Sequence, residues 1–178
     1  PQVGALGADG NHTPPWYLFS GSGYSTTPGH DTALKIVSLD NPASVYTIST
    51  GTTGGLSTPA LLSTDVDNMI ELAFAGDING DLWMFTFDHS NPANSTVIKV
   101  YDGSPDQPIT SAPSIAEHPH QPGYMVYFGT GSILSLDDAL NDGLRDGGNP
   151  GVQNDYTKKQ AIHAIWPNTQ AATTPTAP

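Results

Sequence analysis

Three segments of this chain repeat one another, and that repetition limits the fold more than any other feature. They are Trp16-Tyr17-Leu18-Phe19-Ser20-Gly21-Ser22-Gly23, Glu71-Leu72-Ala73-Phe74-Ala75-Gly76-Asp77 and Tyr124-Met125-Val126-Tyr127-Phe128-Gly129-Thr130-Gly131. Each is an apolar run that closes on a Phe and then meets a glycine-bearing turn. Phe19, Phe74 and Phe128 are 55 and 54 residues apart. A second apolar run follows each: Ala33 to Asp40, Asp81 to Asp88, and Gln160 to Asn168. In the middle repeat the connection is the short Asp77-Ile78-Asn79-Gly80-Asp81, where Asn-Gly supplies the positive φ of a hairpin turn. Ser44–Thr50 and Ser95–Tyr101 read as outer strands. Thr58–Leu62 and Ala112–Ala116 each contain a Pro, which suits the start of a strand. The unit is therefore about four strands every ~50 residues, the spacing of β-propeller blades. The best helical stretch is short, Leu134 to Leu140, and Gly143 would end it.

The reading is an all-β chain of about three four-stranded antiparallel units, at roughly 1–52, 53–105 and 106–168. Residues 169–178, rich in Thr, Ala and Pro, read as a linker or disordered tail. Propellers typically close with about four to eight blades, and an array of three leaves open strand edges. The chain is expected to be part of a larger propeller, or to be completed by another chain. It opens at Pro1 with no leader sequence, which leaves export open.

Nineteen glycines and 16 prolines in 178 residues agree with a turn-rich β-protein. Charged residues make up only 12%, but 17 are acidic and 5 basic, a net charge of −12. Such a balance repels nucleic acid and anionic membranes and suits divalent cations or a solvated surface. No apolar run approaches the ~20 residues of a membrane span. The absence of cysteine removes disulfides, thiolate nucleophiles and Cys-bound zinc.

The strongest chemical motif is Ser63-Thr64-Asp65-Val66-Asp67-Asn68-Met69-Ile70-Glu71. Calcium takes six to eight hard oxygen ligands, and alternate loop positions turn toward one centre. In the nine-residue pattern D-x-D-x-D-G-x-x-D, Asp65, Asp67 and Glu71 hold three of the four carboxylate positions. Ser63 offers a hydroxyl at the first, and Asn68 stands where φ > 0 is required. Met69 and Ile70 are free to point back into the blade. The predicted ligands are Ser63, Asp65, Asp67 and Glu71. A loop that folds the same way without metal, and a plain solvated turn, are the competing readings. Asp77 and Asp81 also carry oxygens, but Asp, Asn and Gly are the residues a tight turn selects anyway. The Asp-box S-x-D-x-G-x-x-W fails on spacing. His118-Pro119-His120 reads as a structural turn, because no third zinc ligand accompanies it. The acidic stretch 137–149 reads as a solvated loop. Trp83 and Trp166 sit in apolar runs and read as core. No nucleophile elbow, phosphate loop or dinucleotide fingerprint occurs, so no catalytic residue is assigned.

The order of these features resembles the propeller of the PilC/PilY family of type IV pilus tip proteins. The resemblance is carried by Gly54 to Leu61, Ala73-Phe74-Ala75-Gly76-Asp77, Gly80-Asp81-Leu82-Trp83, Gln107 to Pro113, His118-Pro119 and Gly123 to Gly131. It runs from about Phe19 to Trp166. It implies a secreted protein at the pilus tip or outer membrane surface, acting in pilus biogenesis, adhesion and surface sensing. Minor pilins and host or surface ligands would be its partners. It also implies calcium in the loop matching Ser63–Glu71, although this chain departs from the family at Ser63 (Asp preferred) and Asn68 (Gly preferred). The family's propeller has more blades than this chain. The alternatives are an FG-GAP-like calcium-binding propeller of another extracellular protein and, less favoured, a quinoprotein-type enzyme fragment. The segment Gln107–Gly131 fits the pilus family alone, and three blades do not enclose a cofactor cleft. The chain is therefore expected to bind rather than catalyse.

Overall fold

A computed structural model describes residues 1–7, 15–25, 27–64, 69–132 and 159–167. It is all-β, with eleven strands among the described residues. The first sheet contains β1 (Gln2–Ala5), β2 (Trp16–Gly21), β3 (Asp31–Ser38) and β4 (Val45–Thr53) in spatial order 1-2-3-4. The second contains β5 (Ala60–Leu62), β6 (Leu72–Gly76), β7 (Leu82–Thr86) and β8 (Thr96–Tyr101), also in chain order. The third contains β9 (Ser114–Glu117), β10 (Tyr124–Gly129) and β11 (Ile162–Ile165), with β10 central. Every pairing within the sheets is antiparallel. A single 3-10 turn, Pro92–Asn94, joins β7 to β8 and is capped by the Asn91 side chain.

The sheets stack face to face. The first packs on the second through Tyr17, Phe19, Leu34 and Ile36 against Ala73, Ala75, Trp83 and Phe85. The second packs on the third through Leu72, Phe74, Leu82 and Met84 against Val126 and Phe128. This arrangement explains why β6 is buried along its whole length while β4 and β8 alternate with solvent. A strand covered on both faces tolerates apolar residues at every position, and an outer strand does not. Strands β1, β5 and β9 lie beside one another at one edge of the stack, and β4 meets β8 at the other. That is the radial order of propeller blades.

The segments that precede β5 and β9 lock neighbouring sheets together. Leu56 and Ile109, both fully buried, lie over the glycines that end β2 and β6. A Cβ on Gly21 would collide with the Leu56 and Ser57 carbonyls, and one on Gly76 with the Ile109 side chain. The Phe-then-Gly signature in the first two repeats is therefore a packing joint: the Phe fills the core and the Gly admits the next linker.

The structure refines the repeat and corrects the reading of Trp166. Phe19 and Phe74 face the following sheet, but Phe128 faces back toward the second sheet, where it meets Tyr101 with ring centroids 5.1 Å apart. In β10 the forward-facing position belongs to Tyr127. A shift of one residue reverses the face of every side chain in a strand, so the third repeat is a spatial match one residue earlier than its Phe suggests. Trp83 is 6% exposed and belongs to the core, whereas Trp166 is 51% exposed and stacks on His118 at a centroid distance of 4.5 Å. Trp166 lies just past the end of β11, where no further sheet covers it among the described residues. β1 also escaped sequence reading. It is short, and its Gly4 is required because a Cβ would crowd the Ile70 side chain. The predicted helical stretch 134–140, the acidic loop 137–149 and the tail 169–178 lie outside the described residues.

Candidate functional site

The predicted calcium loop connects β5 to β6. Leu62 pairs with Leu72, so the two chain ends of the loop are held side by side, with Ser63 leaving β5 and Glu71 entering β6. The Glu71 N–H donates to the Leu62 carbonyl at 3.1 Å, and the Phe87 N–H donates to the Glu71 carbonyl at 3.0 Å. The Ile70 N–H donates to the Ala5 carbonyl of the first sheet at 2.9 Å, and Ile70 itself is buried in the core. Ile70 thus points into the blade as expected and anchors the loop's exit. The Glu71 carboxylate turns toward the start of the loop, where Oε2 accepts the Thr64 N–H at 2.6 Å. An ionised carboxylate offers roughly four acceptor positions, so this bond orients Glu71 without exhausting it. Asp65, Asp67 and Asn68 lie outside the described residues. Among the described residues no cluster of three or more His, Asp or Glu is placed to hold a metal. The predicted donor set of one hydroxyl and three carboxylates is composed of hard oxygens, the kind that calcium takes.

The second acidic turn, between β6 and β7, has a different chemistry. Asp77 is fully buried. Its Oδ1 accepts the Asn79 N–H at 2.9 Å and the Asp81 N–H at 3.0 Å. Its Oδ2 accepts the Trp83 indole N–H at 2.8 Å. Burial pushes the carboxyl above its ordinary value, and these hydrogen bonds oppose that rise. Asp81 accepts the Gly103 N–H at 3.0 Å through Oδ1 and pairs with Lys99 at 2.6 Å through Oδ2. Lys99 also pairs with Asp102 at 2.9 Å and lies 5.4 Å from the Trp83 ring centroid. Gly80 takes φ 85°, as the Asn-Gly signal requires. This turn is a structural clamp, which agrees with the hairpin reading. Tyr24 adds to it: burial raises its hydroxyl to about 12, and the O–H donates to the Ile109 carbonyl at 3.3 Å. Sequence alone did not single out Tyr24 or the Asp77–Trp83 bond, since their partners come from different strands or different sheets.

The His118 turn is also structural. Its Nδ1 accepts the N–H groups of His120 and Gln121 at 3.2 and 3.0 Å.

The comparisons with known proteins agree with this architecture. The sequence matches the PilY1 beta-propeller domain family over residues 1–174. It is 33% identical to the type IV pilus biogenesis factor PilY1 of Pseudomonas aeruginosa strain PAO1, in an alignment that covers 84% of this chain and 15% of that protein. A PilY1 homolog of Xylella fastidiosa is 27% identical, over 76% of this chain and 11% of the relative. The chain therefore spans only between about a tenth and a seventh of the length of the curated relatives it matches. Among solved structures, the crystal structure of the Pseudomonas aeruginosa PilY1 C-terminal domain superimposes with a TM-score of 0.68 at 27% identity, covering 98% of this chain and 38% of that one. These relatives are named as pilus biogenesis factors rather than enzymes. The stacked antiparallel sheets, the linker joints at Gly21 and Gly76 and the family match over nearly the whole sequence lead to one assignment: this chain belongs to the PilY1 β-propeller domain family.

Proposed function

We propose that this chain forms part of the propeller of a type IV pilus-associated surface protein and works as a binding module in pilus biogenesis, adhesion and surface sensing. The family match over residues 1–174 carries this reading. Its place would be outside the cell, at the pilus tip or outer membrane, with minor pilins and host or surface ligands as partners. A net charge of −12 suits that setting, and no described helix is long and apolar enough to cross a membrane.

Within that reading, Ser63, Asp65, Asp67 and Glu71 hold Ca²⁺. Bound calcium would offset two of the three negative charges that Asp65, Asp67 and Glu71 bring into one short loop. The chain's own part is to hold the loop ends together through the Leu62–Leu72 pair and to orient Glu71 through the Thr64 N–H. The presence of Ser63 instead of a fourth carboxylate lowers the charge count, and with it the affinity. Calcium titration calorimetry on this chain and on Asp67→Ala tests the site. Saturable binding that disappears in the variant supports it. No heat at millimolar calcium removes calcium from the proposal and leaves a loop that folds without metal.

A further inference from the structure

The turn from β6 to β7 contains Asn79-Gly80, the one Asn-Gly pair in the sequence. Glycine has no side chain to shield its nitrogen, so that nitrogen can attack the preceding asparagine side chain and expel the amide. The turn also joins the first sheet to the segment that leads into the third. Asn79 Nδ2 donates to the carbonyl of Thr53, the last residue of β4, at 3.0 Å. The Ile78 side chain lies over Gly54 of the same region. On the other side, the segment ahead of β9 packs against Gly80, where a Cβ would collide with the Ser104 and Gln107 carbonyls.

We infer that Asn79 is a deamidation site, held back by the closed turn, whose conversion unties the first sheet from the second. The step balances without a cofactor. Hydroxide takes the Gly80 N–H proton, the nitrogen bonds to Asn79 Cγ, the Cγ–Nδ2 bond breaks, and ammonia leaves with a proton from water. Water then opens the succinimide ring to aspartate or isoaspartate at position 79. In the closed turn both reacting groups are engaged elsewhere. The Gly80 N–H donates to the Asp77 carbonyl at 3.2 Å, and the Asn79 N–H donates to Asp77 Oδ1 at 2.9 Å. The side-chain amide is turned toward Thr53. Attack on Cγ therefore needs a local opening of the turn. Asn79 is partly exposed, so water reaches it. The product cannot restore the joint. A carboxylate has no donor for the Thr53 carbonyl, and it places a further acid beside Asp77 and Asp81. Isoaspartate adds a backbone atom where Gly80 is packed too closely to give way. This inference rests neither on calcium nor on the pilus reading.

For the test, the protein is held at mildly alkaline pH, natively and in urea, then digested and read by mass spectrometry. In urea, Asn79 should convert fastest of the asparagines. In the native state it should convert at least about tenfold more slowly than in urea, while the exposed Asn94, followed by Ser95, slows less. Asp77→Ala removes acceptors that hold the turn and should raise the native rate at Asn79. A native rate equal to that in urea overturns the inference, as does equal slowing at Asn94 or a folded Asp77→Ala with no acceleration. The consequence is read separately. Asn79→Asp should lower Tm by about 2 to 4 °C, more than Asn79→Ala does. An unchanged Tm in Asn79→Asp would show that the modification leaves the joint intact and would overturn the untying.

Discussion

The two acidic turns of the second sheet look alike in sequence and differ in what their carboxylates touch. Between β6 and β7, both oxygens of Asp77 are taken by N–H groups of its own turn and by the Trp83 indole, in a site closed to water. Between β5 and β6, Glu71 at the loop's exit accepts one N–H from among the described residues, that of Thr64, and is partly exposed. The first arrangement is a clamp whose acceptors are spent. The second is a carboxylate at the surface, oriented by the Thr64 N–H. Acidic residues in a turn point to a metal only where the fold leaves their oxygens unspent.

The comparison can be broken by substitution. The largest effect is expected at the clamp. Asp77→Ala strands three donors in a buried site and should cost about 3 kcal/mol, lowering Tm by between about 6 and 12 °C with or without calcium. Scanning calorimetry with and without chelator checks both points, and a calcium-dependent loss would show that the two turns are coupled. Next comes the loop. Calcium at about 100 times its Kd should add about 2.7 kcal/mol to the stability of this chain, and Asp67→Ala should remove that gain while changing the metal-free Tm little. A Tm gain that persists in Asp67→Ala would place the cation elsewhere.

Asp81→Asn should cost less, about 1 kcal/mol or under, because Lys99 is partly exposed and the amide oxygen still accepts the Gly103 N–H. Urea unfolding reads this directly. The smallest effect is a pH dependence. Burial raises the Asp77 carboxyl from its ordinary 3.8, so in the window just above 3.8 the folded chain holds more protons than the unfolded one. This group's contribution is then fully present below 3.8 and is lost as pH rises through its raised folded value. The stability advantage of wild type over Asp77→Asn should therefore shrink as pH rises through that window. An advantage that grows would mean that the three hydrogen bonds outweigh burial.

Much of the fold was legible before the structure. The outer strands Val45–Thr53 and Thr96–Tyr101, the inner strands that begin after Pro59 and Pro113, and the Asn-Gly turn at Gly80 all fall on or beside their sequence signals. Those signals are local: β-branched runs, a ring that cannot donate to a ladder, a residue that tolerates positive φ. The same logic marked Ser63–Glu71 as a loop with calcium-like spacing. What it missed was set by neighbours. β1 reads as too short and too polar at its start to stand out, and it is a strand because β2 pairs with it. Trp166 sits in an apolar run like Trp83, yet only Trp83 has a sheet on top of it.

The sequence by itself therefore determined the repeat, its length near 54 residues, the antiparallel four-strand unit and the place of the acidic turns, because each depends on contacts a few residues apart. The tertiary structure alone decided which face of each strand looks forward. Strand alternation has a period of two and no absolute phase, so Phe128 could be assigned to the backward face only when Tyr101 was found against it. It also decided which carboxylates are spent, because the Trp83 indole reaches Asp77 from the next strand and the Gly103 N–H reaches Asp81 from beyond β8. Bonds between a turn and a neighbouring strand depend on how side chains pack in three dimensions, which no spacing along the chain displays.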